Sequence, residues 1–352
     1  MNSKEAQKAI KRFYGSEAAK RNRFSGQMTA EFQTMLAEAH ADLSIDDCYF
    51  YHTMEFSDGQ VCEGSWDLRG GEREYLGYID FTGQTVLELG PATGYLSFFM
   101  ERMGAQVVCF DLAKGMTHEV LPLPGLDIAR EEKNGIDFVY KTQNSWWYGH
   151  RKSKSNSRAV YGDIYRLPGD LGRFDISIFG CILLHLSNPF AVLRKIAAIT
   201  EKAVIITDLI QRTPFNLDTS FLDFNPGGQQ KNPVNWWGVS PGAVLKMLRM
   251  LGFPEISIYY HVQKYRLQND LTAPFNEVKL FTIVGKRKPY SIRHLELTED
   301  EKKAQLELER SWVWDPEAVL RAENQALRSS ISWRITRPLR WLGKILRQTN
   351  KQ

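Results

Sequence analysis

Glu88, Gly90 and Gly94, in the run VLELGPATGYLSF (86–98), are residues whose types and spacing suggest chemistry. An apolar strand that turns through two glycines into an apolar-faced helix is a general way to hold a nucleotide, because the turn brings backbone and a helix N-terminus close to the ligand. The details restrict that ligand. A pyrophosphate wants glycine at the third position of G-x-G-x-x-G, but that position is Ala92 and the spacing is Gly90-x-x-x-Gly94. Glu88, two residues before the first glycine, repels phosphate and attracts a cation or an amine. The expected ligand therefore lacks phosphate and carries positive charge. Three more residues sit at the ends of apolar runs: Asp111 in QVVCFD, Asp163 in VYGDIYRLP, and His185 in FDISIFGCILLHLSNP, just past the strand expected at 175–181.

S-adenosylmethionine meets the description, since its methionine end carries an ammonium and a sulfonium beside an adenosine. Glu88-Leu89-Gly90-Pro91-Ala92-Thr93-Gly94 resembles the first motif of class I S-adenosylmethionine-dependent methyltransferases. The resemblance covers roughly residues 66–286. It implies that Asp111, with Leu112 beside it, binds the ribose hydroxyls, and that Asp163 meets the adenine amino group with Ile164 along the ring. It also implies that Gly180 and Cys181, in the run similar to the fourth motif, lie under the transferred methyl. A tight strand–helix turn without a ligand is the alternative for the two glycines alone.

Methyl transfer needs in-line approach of a nucleophile and exclusion of water. A hydroxyl acceptor also benefits from a base, and His185 has an imidazole that titrates in a useful range. It could instead cap the helix opened by Asn188-Pro189 or pack in the core. His52 and Glu55 in YHTMEF are weaker candidates, because alternation places them on opposite faces. Trp66 and Arg69 precede the domain where an arm could fold across the cleft, and Trp236-Trp237 follow a long loop, 215–235, of lid-like length. These four are candidate substrate-binding residues. For Trp66 and the Trp pair, packing is the alternative.

The elements that must position these residues read as follows. From Gly83, short apolar runs alternate with helical segments, with strands expected at 85–89, 106–112, 158–161, 175–181, 203–210, 255–262 and 278–286. Such runs predict an α/β, doubly wound, seven-stranded, mostly parallel sheet, with the last two strands antiparallel. Before it, 1–80 form a helical arm and a hairpin turning at Asp58-Gly59. The main domain spans 81–290, and 291–352 form a helical tail. Thr298 with Glu301 signals a capping box, and Asp315-Pro316 opens a further helix. The segment NSWWYGHRKSKSNSR (144–158) reads as an insertion with a solvated face carrying Arg151, Lys152 and Lys154.

Composition bounds the rest. The chain has 352 residues and four cysteines, Cys48, Cys62, Cys109 and Cys181, without metal-ligand spacing, so neither zinc nor disulfides are expected. No signal-peptide pattern or membrane-spanning run is seen, which points to a cytosolic protein. The net charge of +4 hides an asymmetry: residues 328–352 carry seven bases and no acid, leaving −3 on the remainder. That disfavours a general nucleic-acid surface.

Two finer resemblances compete. GSWDLRG, ILLHLSNPFAVLRKI and NWWGVSP together resemble wobble-uridine tRNA methyltransferases and their bacterial relatives. Carboxymethyl-transferring members have a tyrosine before the histidine, where this chain has Leu184. The tail, ALRSSISWRITRPLRWLGKILRQ, is similar to tails on bacterial enzymes of surface polysaccharide assembly, with bases on one side and Ile331, Ile335, Leu339, Leu342 and Ile345 on the other. That layout suits an interfacial helix on an anionic membrane; an oligomer-forming or nucleic-acid-touching helix is the alternative. The expected function is O-methylation of a sugar hydroxyl, with a lipid-linked glycan as acceptor at the inner face of the cytoplasmic membrane. The tRNA reading stands second, and a non-catalytic cofactor-binding scaffold third.

Overall fold

The computed structural model describes residues 43–213, 215–224, 232–267, 270–288, 290 and 292–313. The expected N-terminal helix pattern, the helix opened by Asp315 and the basic tail lie outside the described residues.

The arm makes a hairpin of β1 (Met54–Glu55) and β2 (Val61–Cys62), turning through Gly59 at φ +81°, where a residue without a Cβ is favoured. It continues into β3 (Trp66–Asp67). Five parallel strands follow: β4 (Thr85–Leu89), β5 (Gln106–Leu112), β6 (Arg158–Gly162), β7 (Phe174–Gly180) and β8 (Thr200–Leu209). A small hairpin, β9 (Leu222–Phe224) with β10 (Trp237–Val239), precedes the long antiparallel pair β11 (Glu255–Tyr265) and β12 (Asn276–Lys286).

The main sheet has the order β3-β11-β12-β8-β7-β4-β5-β6, eight strands rather than the expected seven. The extra strand is β3, whose Trp66 and Asp67 pair with Tyr265 and Lys264. Two residues are too few for alternation to announce a strand. β12 lies antiparallel between β8 and β11, the expected exception to a parallel sheet.

Period-two alternation sorts side chains to two faces. Leu87 and Leu89 enter one core with Phe179, Ile206 and Phe281, while Val86 enters the other with Cys109, Ile178 and Ile205. The first face is covered by α4 (Pro189–Ile199), α5 (Pro241–Met250) and α6 (Glu299–Trp312), through Val192, Val244 and Trp312. The second is covered by α1 (Glu72–Tyr75), α2 (Tyr95–Arg102) and α3 (Ile128–Lys152), through Tyr75, Phe98 and Trp146. Ser240 and Thr298 cap α5 and α6 as their sequence signals require, each accepting a backbone N–H at 3.2 Å.

The segment 144–158 corrects the sequence reading. It is no insertion: its first part is the end of α3, the helix joining β5 to β6, with Trp146 and Trp147 buried. Arg151 donates to the Leu43 carbonyl at 2.7 Å, and Lys152 pairs with Asp58, so the basic run ties the arm to the helix. Among the described residues no helix is long and apolar enough to cross a membrane, and no group of three or more His, Cys, Asp or Glu is placed to hold a metal ion.

The chain leaves β4 outward to β5 and β6, then returns to β7 on the other side of β4. That reversal is a topological switch point, where loops at the strands' carboxyl ends diverge and leave a crevice. The turns after β4 and β7 both emerge there.

Candidate active site

The turn after β4 is held in the left-handed region at three places: Gly90 (φ +62°), Ala92 (φ +48°) and Gly94 (φ +80°). At Gly94 an added Cβ would lie 2.6 Å from the Trp146 ring and 2.8 Å from Phe98, so α2 and α3 pack directly on the turn. At Gly90 it would lie 2.4 Å from Ile182, which follows β7. Ala92 bears the strain that glycine would avoid, a cost of about 1–3 kcal/mol. The Gly90 and Gly94 amides donate to the carbonyls of Phe110 (2.9 Å) and Pro91 (2.8 Å). Those two amides are thus unavailable to a phosphate.

Alternation turns Glu88 toward α2. Its carboxylate accepts from the Ser97 hydroxyl and, at 3.7 Å, from the Cys109 thiol, and Glu88 is only 4% exposed. The expected place at the lip of the crevice is therefore corrected to one beneath the turn. Burial pushes its pKa up to about 7. Both hydrogen bonds fall on Oε2; Oε1 makes none among the described residues.

Asp111 stands beside the turn, because β5 pairs with β4 in parallel register. Its Oδ1 accepts from the Leu112 amide at 2.8 Å, and burial raises its pKa to about 6. Leu112 offers its carbonyl to Gln143 Nε2 at 2.8 Å. Asp163 caps the short 3-10 turn Ile164–Arg166, accepting from the Tyr165 amide at 2.8 Å and pairing with Arg166 at 3.6 Å. Ile164 packs partly buried on the first core.

The second half of the crevice lies past β7 and β8. Gly180 leaves room for Tyr75, whose hydroxyl would be 3.0 Å from an added Cβ, and Cys181 takes φ +51°. The Tyr75 hydroxyl donates to Cys181 Sγ at 3.6 Å. His185 Nδ1 is 2.9 Å from the Val234 carbonyl. A carbonyl only accepts, so Nδ1 carries the hydrogen and Nε2 the lone pair. Burial holds the pKa of His185 below its ordinary value, which keeps the ring neutral at pH 7. The His118 ring lies 5.1 Å away and is itself pushed down to about 3 by burial.

Two segments roof this half. Trp236 donates its amide to the Leu184 carbonyl and its indole N–H to the Glu119 carbonyl, both at 2.8 Å, while the Trp237 indole reaches the Ser187 carbonyl at 3.3 Å. The Trp pair is a partly buried wall with its N–H groups spent. The Glu119 carboxylate accepts from the Ser187 amide (2.7 Å), the Ser187 hydroxyl (2.8 Å) and the Tyr165 hydroxyl (2.8 Å). The Leu121 amide donates to the Pro233 carbonyl at 2.7 Å.

The arm closes the crevice from the other side. Thr93, fully buried in the turn, accepts from the His52 amide at 3.2 Å and lies 3.0 Å from His52 Nδ1. Burial holds the His52 pKa down at about 3. Glu55, by contrast, is exposed. Arg69 forks onto both Asp67 oxygens at 2.8 Å and reaches Glu55 at 3.1 Å. Trp66 is 9% exposed, gives its indole N–H to the Tyr51 hydroxyl at 3.0 Å and packs on Tyr265. Register places Trp66 at the carboxyl edge, and the polar groups of Trp66 and Arg69 are committed to the arm.

Thr93, expected among the cofactor-binding residues of the turn, is instead buried with its hydroxyl docking the arm, and sequence reasoning missed the Glu119 clamp and Asp208, next to last in β8. Asp208 had a signal: it is the one acid in the apolar run AVIITDLI. The pairings of His52 with Thr93 and Glu119 with Ser187 had none, being 41 and 68 residues apart.

No family model and no curated protein matches the chain. Solved structures with a similar fold include the N-terminal domain of EvdMO1 in the presence of SAH and D-fucose (19% identity, TM-score 0.41, covering 69% of this chain and 93% of that one). Magnesium protoporphyrin IX methyltransferase from Synechocystis PCC 6803 with bound SAH is 15% identical, with TM-score 0.35, and covers 58% of this chain and 76% of that one. Burkholderia thailandensis 1,6-didemethyltoxoflavin-N1-methyltransferase is 15% identical, with TM-score 0.38, covering 62% of this chain and 79% of that one.

Proposed function

We propose that the chain is an S-adenosylmethionine-dependent methyltransferase that methylates a hydroxyl, on a sugar of a surface glycan. The observation that carries this reading is the pairing, at a switch point, of a left-handed turn whose glycine amides are spent on protein carbonyls with the Asp111 carboxyl on the adjacent strand. Such a crevice suits a ribose without phosphates.

The residues fit the cofactor. Asp111 has one oxygen pinned by Leu112, which presets the carboxyl for a diol. Asp163 and Ile164 would flank the adenine, with Gly180 and Cys181 below the reacting atoms. When bound, S-adenosylmethionine supplies a methyl on a sulfonium. His185 would do the chain's share of the chemistry: its Nε2 would take the proton that the acceptor hydroxyl gives up as that oxygen takes the methyl, the methyl's bond to sulfur breaking to leave a neutral thioether. The Val234 carbonyl, holding Nδ1–H, stabilises the imidazolium that results. The roof built by Trp236, Trp237 and Glu119 keeps water out.

The basic tail would bring the enzyme to a lipid-linked acceptor on an anionic membrane. The test is labelled methyl transfer into lipid-linked glycan and into total tRNA, alongside calorimetry with S-adenosylhomocysteine and liposome binding of full-length and tail-deleted protein. Incorporation into the glycan fraction is expected. Incorporation into RNA alone would replace the acceptor with tRNA. Binding without transfer to either would favour a scaffold, and no binding would end the reading.

A further inference from the structure

Asp208 is a buried carboxyl that the fold leaves half satisfied. It is the residue before the last of β8, fully excluded from solvent, with Phe281 opposite it on β12 and Thr207 before it in register with Gly180. Oδ1 accepts from the Leu209 amide at 2.7 Å, while Oδ2 is buried and has no hydrogen-bond partner among the described residues. Buried polar atoms are nearly always paired, and a buried carboxyl oxygen is among the more costly to leave alone.

Its place gives the orphan a meaning. Alternation puts Asp208 on the same face of β8 as Ile206, the face on which β10 packs. Trp237 of β10 is tied to Ser187, and Val234 just before it holds His185. Asp208 thus lies at the carboxyl edge, next to the strand end of Gly180 and Cys181 and beneath the segment that orients the candidate base.

We propose that Asp208 Oδ2 is an acceptor-binding group that takes a hydrogen bond from a hydroxyl of the methyl acceptor, adjacent to the one that loses its proton to His185. The acceptor would then be a polyol, with neighbouring hydroxyls divided between the two residues. This rests on the methyltransferase reading. Burial raises the Asp208 pKa to about 7.

The test compares wild-type protein with Asp208→Asn, which keeps the shape and removes the charge. Three measurements are made: calorimetry with S-adenosylhomocysteine, thermal melting at pH 8, and labelled methyl transfer into a lipid-linked glycan extract. Expected for D208N are cofactor-product affinity within about 2-fold of wild type, a melting temperature equal or higher, and transfer reduced at least 30-fold. A purely structural carboxyl would instead lower the melting temperature, and that result overturns the proposal. So does transfer above a third of wild type. If wild type fails to bind S-adenosylhomocysteine, the methyltransferase reading falls by itself. If wild type binds it but no extract accepts a methyl, melting decides: a stabilised D208N supports a ligand-facing carboxyl, and a destabilised one refutes it.

Discussion

The two halves of the crevice are built by different means. On the β4–β5 side, Glu88, the glycine turn and Asp111 come from two adjacent strand ends, and each is fixed by its own strand or the helix that follows. On the β7–β8 side, His185 and Asp208 are positioned by segments far away in sequence, with Val234 holding one and β10 covering the other. A side built from contiguous units suits a constant ligand, whereas one roofed by loops can change its ligand without rebuilding the sheet. The cofactor is assigned to the first half and the acceptor to the second, and substitutions should separate the two.

The largest separation is expected at His185. His185→Ala should reduce methyl transfer by about 10²–10⁴-fold, the usual weight of a positioned base, while leaving S-adenosylhomocysteine affinity unchanged. Because burial holds its pKa below the ordinary value, wild-type transfer should fall only on the acid side of neutrality, and the variant should lose that limb. A rate and pH profile unchanged by the substitution would remove His185 from the chemistry. On the other half, Asp111→Asn should weaken S-adenosylhomocysteine by roughly 10–100-fold, the worth of one or two hydrogen bonds to a charged group. Calorimetry that shows equal affinity would leave the ribose without its partner.

Smaller effects come from titration, and the arm and the turn should respond in opposite directions. Glu88 has its pKa raised from 4.5 to about 7, so its contribution to stability is full below pH 4.5 and is lost as pH rises through 7. His52 has its pKa lowered from 6.5 to about 3, so its contribution is present above pH 6.5 and is lost as pH falls toward 3. Relative to wild type, Glu88→Gln should therefore gain melting temperature as pH rises from 5 to 8, and His52→Gln should gain as pH falls from 7 to 5. Parallel rather than crossing curves would mean that the arm is not docked on Thr93.

The same contrast explains what could be read from the sequence. Strands 85–89 and 106–112 are found at their expected bounds, because parallel strands covered on both faces are continuous apolar runs between turn residues. The caps at Ser240 and Thr298 are local chemistry and are equally readable. β3 was not, since two residues show no alternation. The end of α3 was misread because its polar residues outnumber the tryptophans that bury it. Glu119 and Thr93 carry no local mark of their partners: what defines them is a surface brought near by folding. Asp208 stood in plain view as an acid in a buried strand, and only the orphaned Oδ2 turns that anomaly into a site.

The smallest expected effect concerns Arg69, and it sharpens the boundary between arm and crevice. The side chain is 36% exposed, its reach to Glu55 is a surface ion pair, and its fork onto the more sheltered Asp67 is still open to water and salt from the arginine side. Arg69→Ala should then cost less than about 1 kcal/mol of stability. If the guanidinium serves only the arm, as its two carboxylate partners indicate, transfer and S-adenosylhomocysteine affinity should stay within about 3-fold of wild type, since 1 kcal/mol is about a 5-fold effect and only part of it would reach the crevice. A loss of transfer above 10-fold with unchanged melting would show that Arg69 leaves Asp67 to meet the acceptor. The crevice would then extend to β3, the outer strand of the sheet, and the arm would belong to the acceptor half.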